Sequence, residues 1–346
     1  MKILYTVGTP YGTGADRWIY EGYKNAFKNK GHRFFTITKT DDFEKRIINI
    51  NPDIFVLDFS LFEKHYKNNK EAAIELLKKV QQRKIKIFCQ LAFDDRSPDR
   101  INFIKKCFSY ISIFYSSYAP EINNGFEKII GKKLHFIPFA ANSKVYFPDK
   151  SNKKFACDIA FVGSTYTAKK DAYKKLLYPL FKKYKVRVYG PGWEKKDKFL
   201  RLLSGVFRQL KIQSLTKLVN EKRLLLSLDE ERQLYASAKI CINIHEYYKN
   251  GKVRGFSNER EFKIPASGGF QISDYIPGME RYFKLGKEIV IAKTEKDWFE
   301  KIDYYLTHDK ERIAIQMAST KRVLKDHTYH NRVKEVINLY NSLNNG

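Results

Sequence analysis

Short apolar runs alternate with segments of helical spacing along the whole chain, and this alternation constrains the fold more than any other feature. The strand-like runs of the first half are 3–7, 33–38, 54–57, 85–92, 110–115 and 133–137. Continuous apolar strands separated by helices are typical of a parallel sheet that is covered on both faces. A polar linker at 142–156 interrupts the pattern, which restarts with a strand at 157–162.

This second series of alternating strands and helices predicts an α/β protein with two Rossmann-like domains, whose parallel sheets face each other across a cleft. A length of 346 residues fits two domains. We expect an N-terminal domain over 1–145, a C-terminal domain over 155–325, and a C-terminal helix over 326–346. That helix could pack back on the N-terminal domain.

The charge balance leaves two interpretations open. Lysine and arginine number 65 against 38 acidic residues, which gives a formal net charge of +27. This excess is either a general richness in lysine or the mark of a polyanionic partner: nucleic acid, an anionic membrane surface or a phosphorylated substrate. The chain lacks an apolar run of the ~18–20 residues that a membrane span needs and a recognisable signal peptide. We therefore expect a cytoplasmic protein.

The segment 195–223 departs from the rhythm of both halves. It holds nine basic and two acidic side chains, and its apolar residues recur at helical spacing. One interpretation is a pair of helices on the second domain with solvated charges. The other is a surface that binds anionic lipid or nucleic acid.

Glycines follow the first strand of each half. Gly12 and Gly14 form either a tight turn or a loop that contacts a ligand. In the second half, Gly163 and Ser164 end the strand 157–162, where small residues can cradle a diphosphate.

Charged residues precede a small-residue turn in the segment 253–270. Arg260 and Lys263 suit the binding of an anion, although a salt-bridged helix with a glycine C-cap fits the same pattern. His245 ends a buried strand and is either structural or a ligand contact. Asp94 and Asp95 follow the strand 85–92 and serve as either a catalytic carboxylate pair or a helix N-cap. The sequence has no D-x-D motif, so we do not expect metal-dependent donor binding.

The pattern Asn258-x-Arg260-x-Phe262-x-Ile264-Pro-Ala-Ser-Gly-Gly resembles the signature of CgeB-like, spore-maturation-type glycosyltransferases. These enzymes have the GT-B fold and belong to the group 1 glycosyltransferase superfamily. Five further matches occur in family order: Phe161–Ser164, Tyr189–Trp193, Asn243–His245, Gly286–Val290 and His327–Arg332.

The resemblance implies that the C-terminal domain binds a nucleotide-sugar donor. In this interpretation Gly163 and Ser164 face the diphosphate, Tyr189 and Gly190 border the base, His245, Asn258 and Arg260 line the donor pocket, and Gly268 and Gly269 bring backbone close to it. Lys263 stands where many related enzymes have a glutamate that holds the donor ribose. A lysine can donate hydrogen bonds to the ribose or phosphate but cannot accept them.

Together these features predict a metal-independent glycosyltransferase that needs no cofactor. It would move a sugar from a nucleoside diphosphate to an acceptor hydroxyl, and the resemblance implies retention of configuration. Arg260 and Lys263 are the predicted catalytic cations, and Asp95 is the candidate acceptor base. Two alternatives stay open: a non-catalytic GT-B scaffold that binds anionic surfaces, or an enzyme that glycosylates nucleic acid. Contact through 195–223 would place the protein at the inner face of the membrane.

Overall fold

The structure, a computed structural model, describes residues 1–8, 12–91, 97–121, 126–165, 169–246 and 257–344. The chain divides into two compact units. Among the described residues, the first unit holds 1–8, 16–138 and 329–344, and the second holds 12–15 and 139–328.

The first unit is built on a parallel sheet with the strand order β2-β1-β3-β4-β5-β6. Its strands are β1 Lys2–Val7, β2 Arg33–Thr38, β3 Ile54–Asp58, β4 Lys86–Gln90, β5 Ile113–Ser116 and β6 Leu134–Phe136. Its helices are α1 Asp16–Asn29, α2 Phe43–Ile50, α3 Phe59–His65, α4 Lys70–Gln82, α5 Pro98–Cys107 and α6 Phe126–Ile130. Ile3, Leu4, Ile54 and Phe55 are fully buried, as strands covered on both faces require.

The last helix of the chain, Tyr329–Ser342, also belongs to the first unit. It packs against α1, where Gly22 lies directly against the ring of Tyr329 and any larger side chain would collide with it. The rings of Tyr23 and Tyr329 are 4.9 Å apart. Arg332 donates to the carbonyl oxygen of Pro138, which ties this helix to the end of the first unit's main segment.

The second unit holds a parallel sheet with the order β11-β10-β9-β7-β8. Its strands are β7 Cys157–Val162, β8 Val186–Tyr189, β9 Ala238–Asn243, β10 Gln271–Asp274 and β11 Val290–Ala292. The helices of the unit are α7 Lys170–Ala172, α8 Asp197–Gln209, α9 Gln213–Leu224, α10 Leu228–Ser237, α11 Arg260–Ala266, α12 Glu295–Thr307 and α13 Asp309–Asp326, and the helix Tyr329–Ser342 is α14.

The spacing of apolar residues predicts a helix over 168–183, and the chain is helical over 170–182, although it is not a regular α-helix there. After the short α7, a π-helical turn covers Tyr173–Leu177 and a 3₁₀ turn covers Tyr178–Lys182. Pro179 stands in the first turn of the 3₁₀ segment, where it lacks the N–H that an α-helix would use. The apolar side chains of this segment still reach the core. The backbone carbonyl of Leu176 accepts a hydrogen bond from the buried indole of Trp298.

Both sheets have the same topology. In each, the second strand pairs with one edge of the first strand, and the later strands follow in chain order from its other edge. The predicted α/β class with two parallel Rossmann-like sheets is therefore confirmed. In such sheets, ligands bind beyond the carboxyl ends of the strands where the order reverses. In the second unit this point lies between β7 and β9.

The four cysteines are buried and reduced, and none of the described helices is long and apolar enough to cross a bilayer.

Candidate functional site

Arg260 spans the crevice between β7 and β9. Its Nη1 donates to the carbonyl oxygen of Val162, the last residue of β7, at 2.7 Å. Its Nη2 donates to the carbonyl oxygen of Ile244, the residue after β9, at 3.3 Å. Gly163 makes this approach possible, because a Cβ there would lie 2.7 Å from Nη1. The buried guanidinium therefore lies at the switch point of the sheet, over the ring of Phe161.

Asn258 holds the first residue of α11 in position. Its Oδ1 accepts from the backbone N–H of Arg260 at 2.9 Å and from Nε of the same residue at 3.4 Å. Its Nδ2 donates to Oδ1 of Asn243 at the end of β9, 3.1 Å away. The Asn-x-Arg spacing of the sequence thus has a physical purpose: the asparagine orients the arginine two residues later.

Lys169 is a site residue that the sequence analysis missed. Its Nζ donates to the carbonyl oxygen of Ile244 at 2.7 Å, so Lys169 and Arg260 share one acceptor. Burial and the charge of Arg260 lower the pKa of Lys169 to about 7, although Glu246, Asp274 and Glu261 act in the opposite direction. The available signal was its position, six residues after Gly163 and just before α7.

His245 lies between two buried carboxylates. Its Nδ1 is 2.6 Å from Oδ1 of Asp274, and its Nε2 is 3.0 Å from Oε2 of Glu261. Burial alone would lower the pKa of His245, but the charges of Glu261 and Asp274 outweigh it and raise the pKa to about 9. The ring is therefore a cation at neutral pH and donates from both nitrogens.

Glu261 joins this histidine to the rest of the site. Its side chain is fully buried and accepts hydrogen bonds from Asn243 Nδ2, Ser273 Oγ and the backbone N–H of Asn258. The network runs from His245 through Glu261 to the asparagine that orients Arg260. Neither Glu261 nor Asp274 is among the site residues that the sequence predicts.

The structure does not bring Lys263 to the partners of Arg260. Its Nζ pairs with Oε1 of Glu231 at 2.6 Å, and both side chains are buried. Glu231 also accepts hydrogen bonds from Tyr235 at 2.7 Å and Tyr146 at 3.1 Å. Burial opposes ionisation of Glu231, but Lys263 and these hydroxyls together hold its pKa below the usual value.

The predicted turns after β7 and β8 lie side by side. Gly190 has φ +122° and packs against the carbonyl of Gly163, which also accepts from the indole of Trp193 at 2.6 Å. The backbone N–H of Gly163 donates to the carbonyl oxygen of Tyr189 at 2.9 Å, and the carbonyl of Ser164 accepts from Tyr173. These four predicted donor contacts therefore share the carboxyl edge of the sheet with Arg260.

Gly268 and Gly269 lie elsewhere. They follow α11 and precede β10, so they stand at the amino edge of the sheet, opposite the crevice. Gly268 adopts φ +78°, and Gly269 packs tightly against the carbonyl oxygens of Tyr235 and Ile264. They serve the end of α11, and the structure does not bring them together with Arg260 or His245.

Three predicted positions remain: Gly12, Gly14 and Asp95. Gly12 and Gly14 belong to the short segment 12–15 that groups with the second unit, and Asp95 lies outside the described residues. Within the described part of the chain, His, Cys, Asp and Glu form no group of three or more that could hold a metal ion.

Comparison with known proteins fits this geometry. Residues 169–338 match the family model described as glycosyl transferase-like. This match and the fold confirm the predicted glycosyltransferase class and the superfamily, whereas the narrower CgeB-like assignment stays a prediction. A search among curated proteins found no relative of the chain.

Solved structures share the fold of the whole chain at low sequence identity. A sucrose-phosphate synthase from Thermosynechococcus elongatus matches with a TM-score of 0.64, 9% identity and 99% of each chain covered. A glycosyltransferase from Rickettsia africae matches with a TM-score of 0.64 at 12% identity, covering 99% of this chain and 98% of the other. An alpha-glucosyltransferase, solved with UDP and a 13-mer DNA containing an HMU base, matches with a TM-score of 0.60 and 13% identity over 99% of each chain.

Proposed function

We propose that this protein transfers a sugar from a nucleoside diphosphate to an acceptor hydroxyl, and that the diphosphate binds beyond the carboxyl ends of β7 and β9. One observation carries the proposal: two buried cations, Arg260 and Lys169, share the carbonyl oxygen of Ile244 at the switch point of the sheet. Cations held in a buried crevice recognise phosphate oxygens through short, charge-assisted hydrogen bonds. Bound diphosphate adds negative charge next to Lys169, which favours its protonated form.

The same cations serve the chemical step. When the bond between the sugar and the diphosphate breaks, negative charge grows on the leaving phosphate oxygens. Fixed positive groups stabilise that charge without having to reorganise during the reaction. Arg260 and Lys169 supply this stabilisation in a metal-independent mechanism. Transfer with retention of configuration is part of the proposal, and it rests on the family resemblance.

The other residues of the site have distinct roles in the proposal. Asn258 and His245 are positioning residues, since their contacts run to Arg260 and to the buried carboxylates. Gly163 and Ser164 border the diphosphate, and Tyr189 and Gly190 border the base. Asp95 as the acceptor base rests on sequence alone.

Lys263 receives a different role from the one that its sequence position suggests. Its ion pair with Glu231 connects α11 to α10, so we assign it to holding the helix that carries Arg260. The competing assignment is a contact of Lys263 with the donor. A double variant that changes both Lys263 and Glu231 distinguishes these two roles.

Nucleotide titration tests the proposal. We expect UDP to bind in the presence of EDTA, because the alpha-glucosyltransferase of similar fold was solved with UDP. ADP and GDP serve as comparisons for the base. Slow hydrolysis of a UDP-sugar without acceptor would show an active enzyme, and NMR of the released sugar would give the anomer. Failure to bind any nucleoside diphosphate would refute the proposed donor site, and binding without hydrolysis would favour the non-catalytic scaffold.

A nucleic-acid acceptor is the second candidate. The net charge of +27 favours a polyanionic acceptor, and the alpha-glucosyltransferase of similar fold was solved with DNA. Transfer of labelled glucose from UDP-glucose to duplex DNA with HMU bases, compared with unmodified duplex, tests this acceptor. Binding of DNA should weaken steeply with salt, since phosphate contacts release counterions. The cytoplasm, where we expect the protein, would give access to both substrates.

A further inference from the structure

The helices α8 and α9 form a hairpin that buries mostly polar side chains and exposes large apolar ones. Most of the buried side chains of the hairpin are polar: Asp197, Ser204, Thr216, Asn220 and Arg223 are buried, together with the apolar Val219. On the outside, seven large apolar side chains are exposed: Phe199, Leu202, Val206, Leu210, Ile212, Leu215 and Leu218. In an ordinary helical hairpin in water, apolar side chains lie between the helices and polar side chains face the solvent.

The polar interior of the hairpin is fully organised. Arg223 Nε donates to Asp197 Oδ1 at 2.9 Å, and its Nη1 donates to Asn220 Oδ1 at 3.2 Å. Ser204 donates to the same Asn220 oxygen at 2.8 Å, which links the two helices. Since hydrogen bonds and one buried ion pair hold the helices together, the apolar side chains are available for another purpose.

The exposed apolar residues of α8 form one stripe. Phe199, Leu202, Val206 and Leu210 are spaced by three or four residues, so they lie along one side of the helix. Leu202 and Phe199 are 67% and 63% exposed, which is unusual for side chains of this size on a soluble helix. Ser204 lies on the opposite side and faces α9 through Asn220. The stripe therefore points away from the partner helix.

Basic side chains flank this stripe. Lys198, Arg201, Arg208 and Lys211 are exposed, and Lys217 and Lys222 add to them from α9. The two acidic residues of the hairpin are already engaged, Asp197 with Arg223 and Glu221 with Lys217. An apolar stripe with a basic border is the pattern of a helix that lies in the interface of an anionic bilayer.

We propose that the α8–α9 hairpin docks on an anionic lipid surface, with the stripe among the acyl chains and the basic border at the headgroups. Charge complementarity selects this occupant. A second copy of the chain would bring another net charge of +27 against the basic border. A nucleic acid would use the cations but leave the apolar stripe in water, because protein–DNA interfaces are polar. The inference goes beyond the proposed sugar transfer and does not depend on it.

Vesicle co-sedimentation of the full-length protein tests the docking. The probes are vesicles of phosphatidylcholine alone and of phosphatidylcholine mixed with phosphatidylglycerol. We expect binding to the mixed vesicles only, weakening with salt. Neutralising Lys198, Arg201, Arg208 and Lys211 to glutamine should reduce binding more than a hundredfold, since each basic residue near the surface contributes about fivefold. The matched control is the same change at four exposed lysines of the first unit, Lys78, Lys105, Lys106 and Lys128.

A second variant separates docking from general electrostatic attraction. Replacing Phe199, Leu202 and Leu210 with serine keeps every charge and should still reduce vesicle binding at least tenfold. Its control carries serine at three exposed apolar residues outside the hairpin, Phe181, Ile313 and Met317. Thermal unfolding shows that each variant is folded. Equal binding by hairpin and control variants, or binding of duplex DNA without binding of vesicles, would overturn the proposal, whatever the result for nucleotide binding.

Discussion

Lys169 Nζ and Arg260 Nη2 donate to the same oxygen, the backbone carbonyl of Ile244, at 2.7 and 3.3 Å. Two buried cations at such close range repel each other, and burial with this repulsion brings the pKa of Lys169 down to about 7. An anion that enters the crevice relieves the repulsion. Protonation of Lys169 and occupation of the site are therefore coupled.

The first prediction is a pH dependence of donor binding. The affinity for UDP-glucose, whose diphosphate keeps its charge near neutral pH, should fall as pH rises above about 7. The sign follows because the unoccupied site loses the proton of Lys169 while the occupied site retains it. The decrease approaches about tenfold per pH unit until the occupied form also titrates. Calorimetric titration across this range measures it.

Substitution of Lys169 provides the control for that profile. Lys169→Met should bind UDP-glucose at least about tenfold more weakly at pH 6, as expected for the loss of a charge-assisted hydrogen bond. The variant should also lose the decline above pH 7. A variant that keeps the wild-type profile would show that another group titrates and that Lys169 does not contact the donor.

The second prediction concerns Arg260. Arg260→Ala should weaken UDP binding by about 1.5–3 kcal/mol and should also destabilise the fold, because the guanidinium bridges the ends of β7 and β9. Arg312→Ala is the matched control: this buried arginine donates to the carbonyl of Tyr305 and to Asp309, whereas Arg260 donates to the carbonyls of Val162 and Ile244. We expect both variants to lower the melting temperature and only Arg260→Ala to lower affinity. Equal affinity losses would mean that the effect is a general loss of stability.

The sequence predicts those parts of the site that depend on strand ends. Apolar runs locate β7, β8 and β9, and parallel strands bring their carboxyl ends to one edge, so the sequence predicts that Gly163, Tyr189 and His245 lie at the same edge of the sheet. Arg260 and Asn258 could be found because they stand two residues apart at the start of a helix. The amphipathic pattern of 195–223 likewise predicts two helices, which the structure shows as α8 and α9.

The rest depends on contacts between distant segments. Lys169 joins the site through the carbonyl of a residue 75 positions away, and no local pattern records that contact. Lys263 meets Glu231 on another helix, so its spacing from Arg260 could not reveal its partner. The separation of Gly268 and Gly269 from Arg260 has a geometric reason: α11 runs from the carboxyl edge of the sheet to the amino edge, and the two glycines follow its far end.

The third prediction concerns His245, whose raised pKa links protonation to stability. Its folded pKa of about 9 lies above the usual 6.5, so its contribution is complete below pH 6.5 and is lost as pH rises through 9. His245→Gln leaves Glu261 and Asp274 without their cation and should cost about 3–5 kcal/mol at neutral pH. Urea unfolding at several pH values measures the difference from wild type, which should shrink towards pH 9.

Two features make the His245 experiment interpretable. Lys169 has the opposite slope, since its pKa is lowered, but it is present in both proteins and its contribution largely cancels in the difference. His135→Gln is the control, because burial lowers the pKa of His135 and it should not titrate between pH 7 and 9. A difference for His245→Gln that stays constant over this range would show that the imidazole is neutral in the folded protein.

The last prediction decides between the two roles of Lys263. Lys263→Met leaves the carboxylate of Glu231 buried without its cation, which should cost about 3–5 kcal/mol of stability. Adding Glu231→Gln removes the stranded charge. Its amide oxygen can accept from one of the two hydroxyls, Tyr146 or Tyr235, and its NH2 can donate to the other, so the double variant should recover most of the loss. If Lys263 only holds α11, the double variant binds UDP within about twofold of wild type. A folded double variant that has lost more than tenfold in affinity would instead place Lys263 on the donor, in the position that related enzymes give to glutamate.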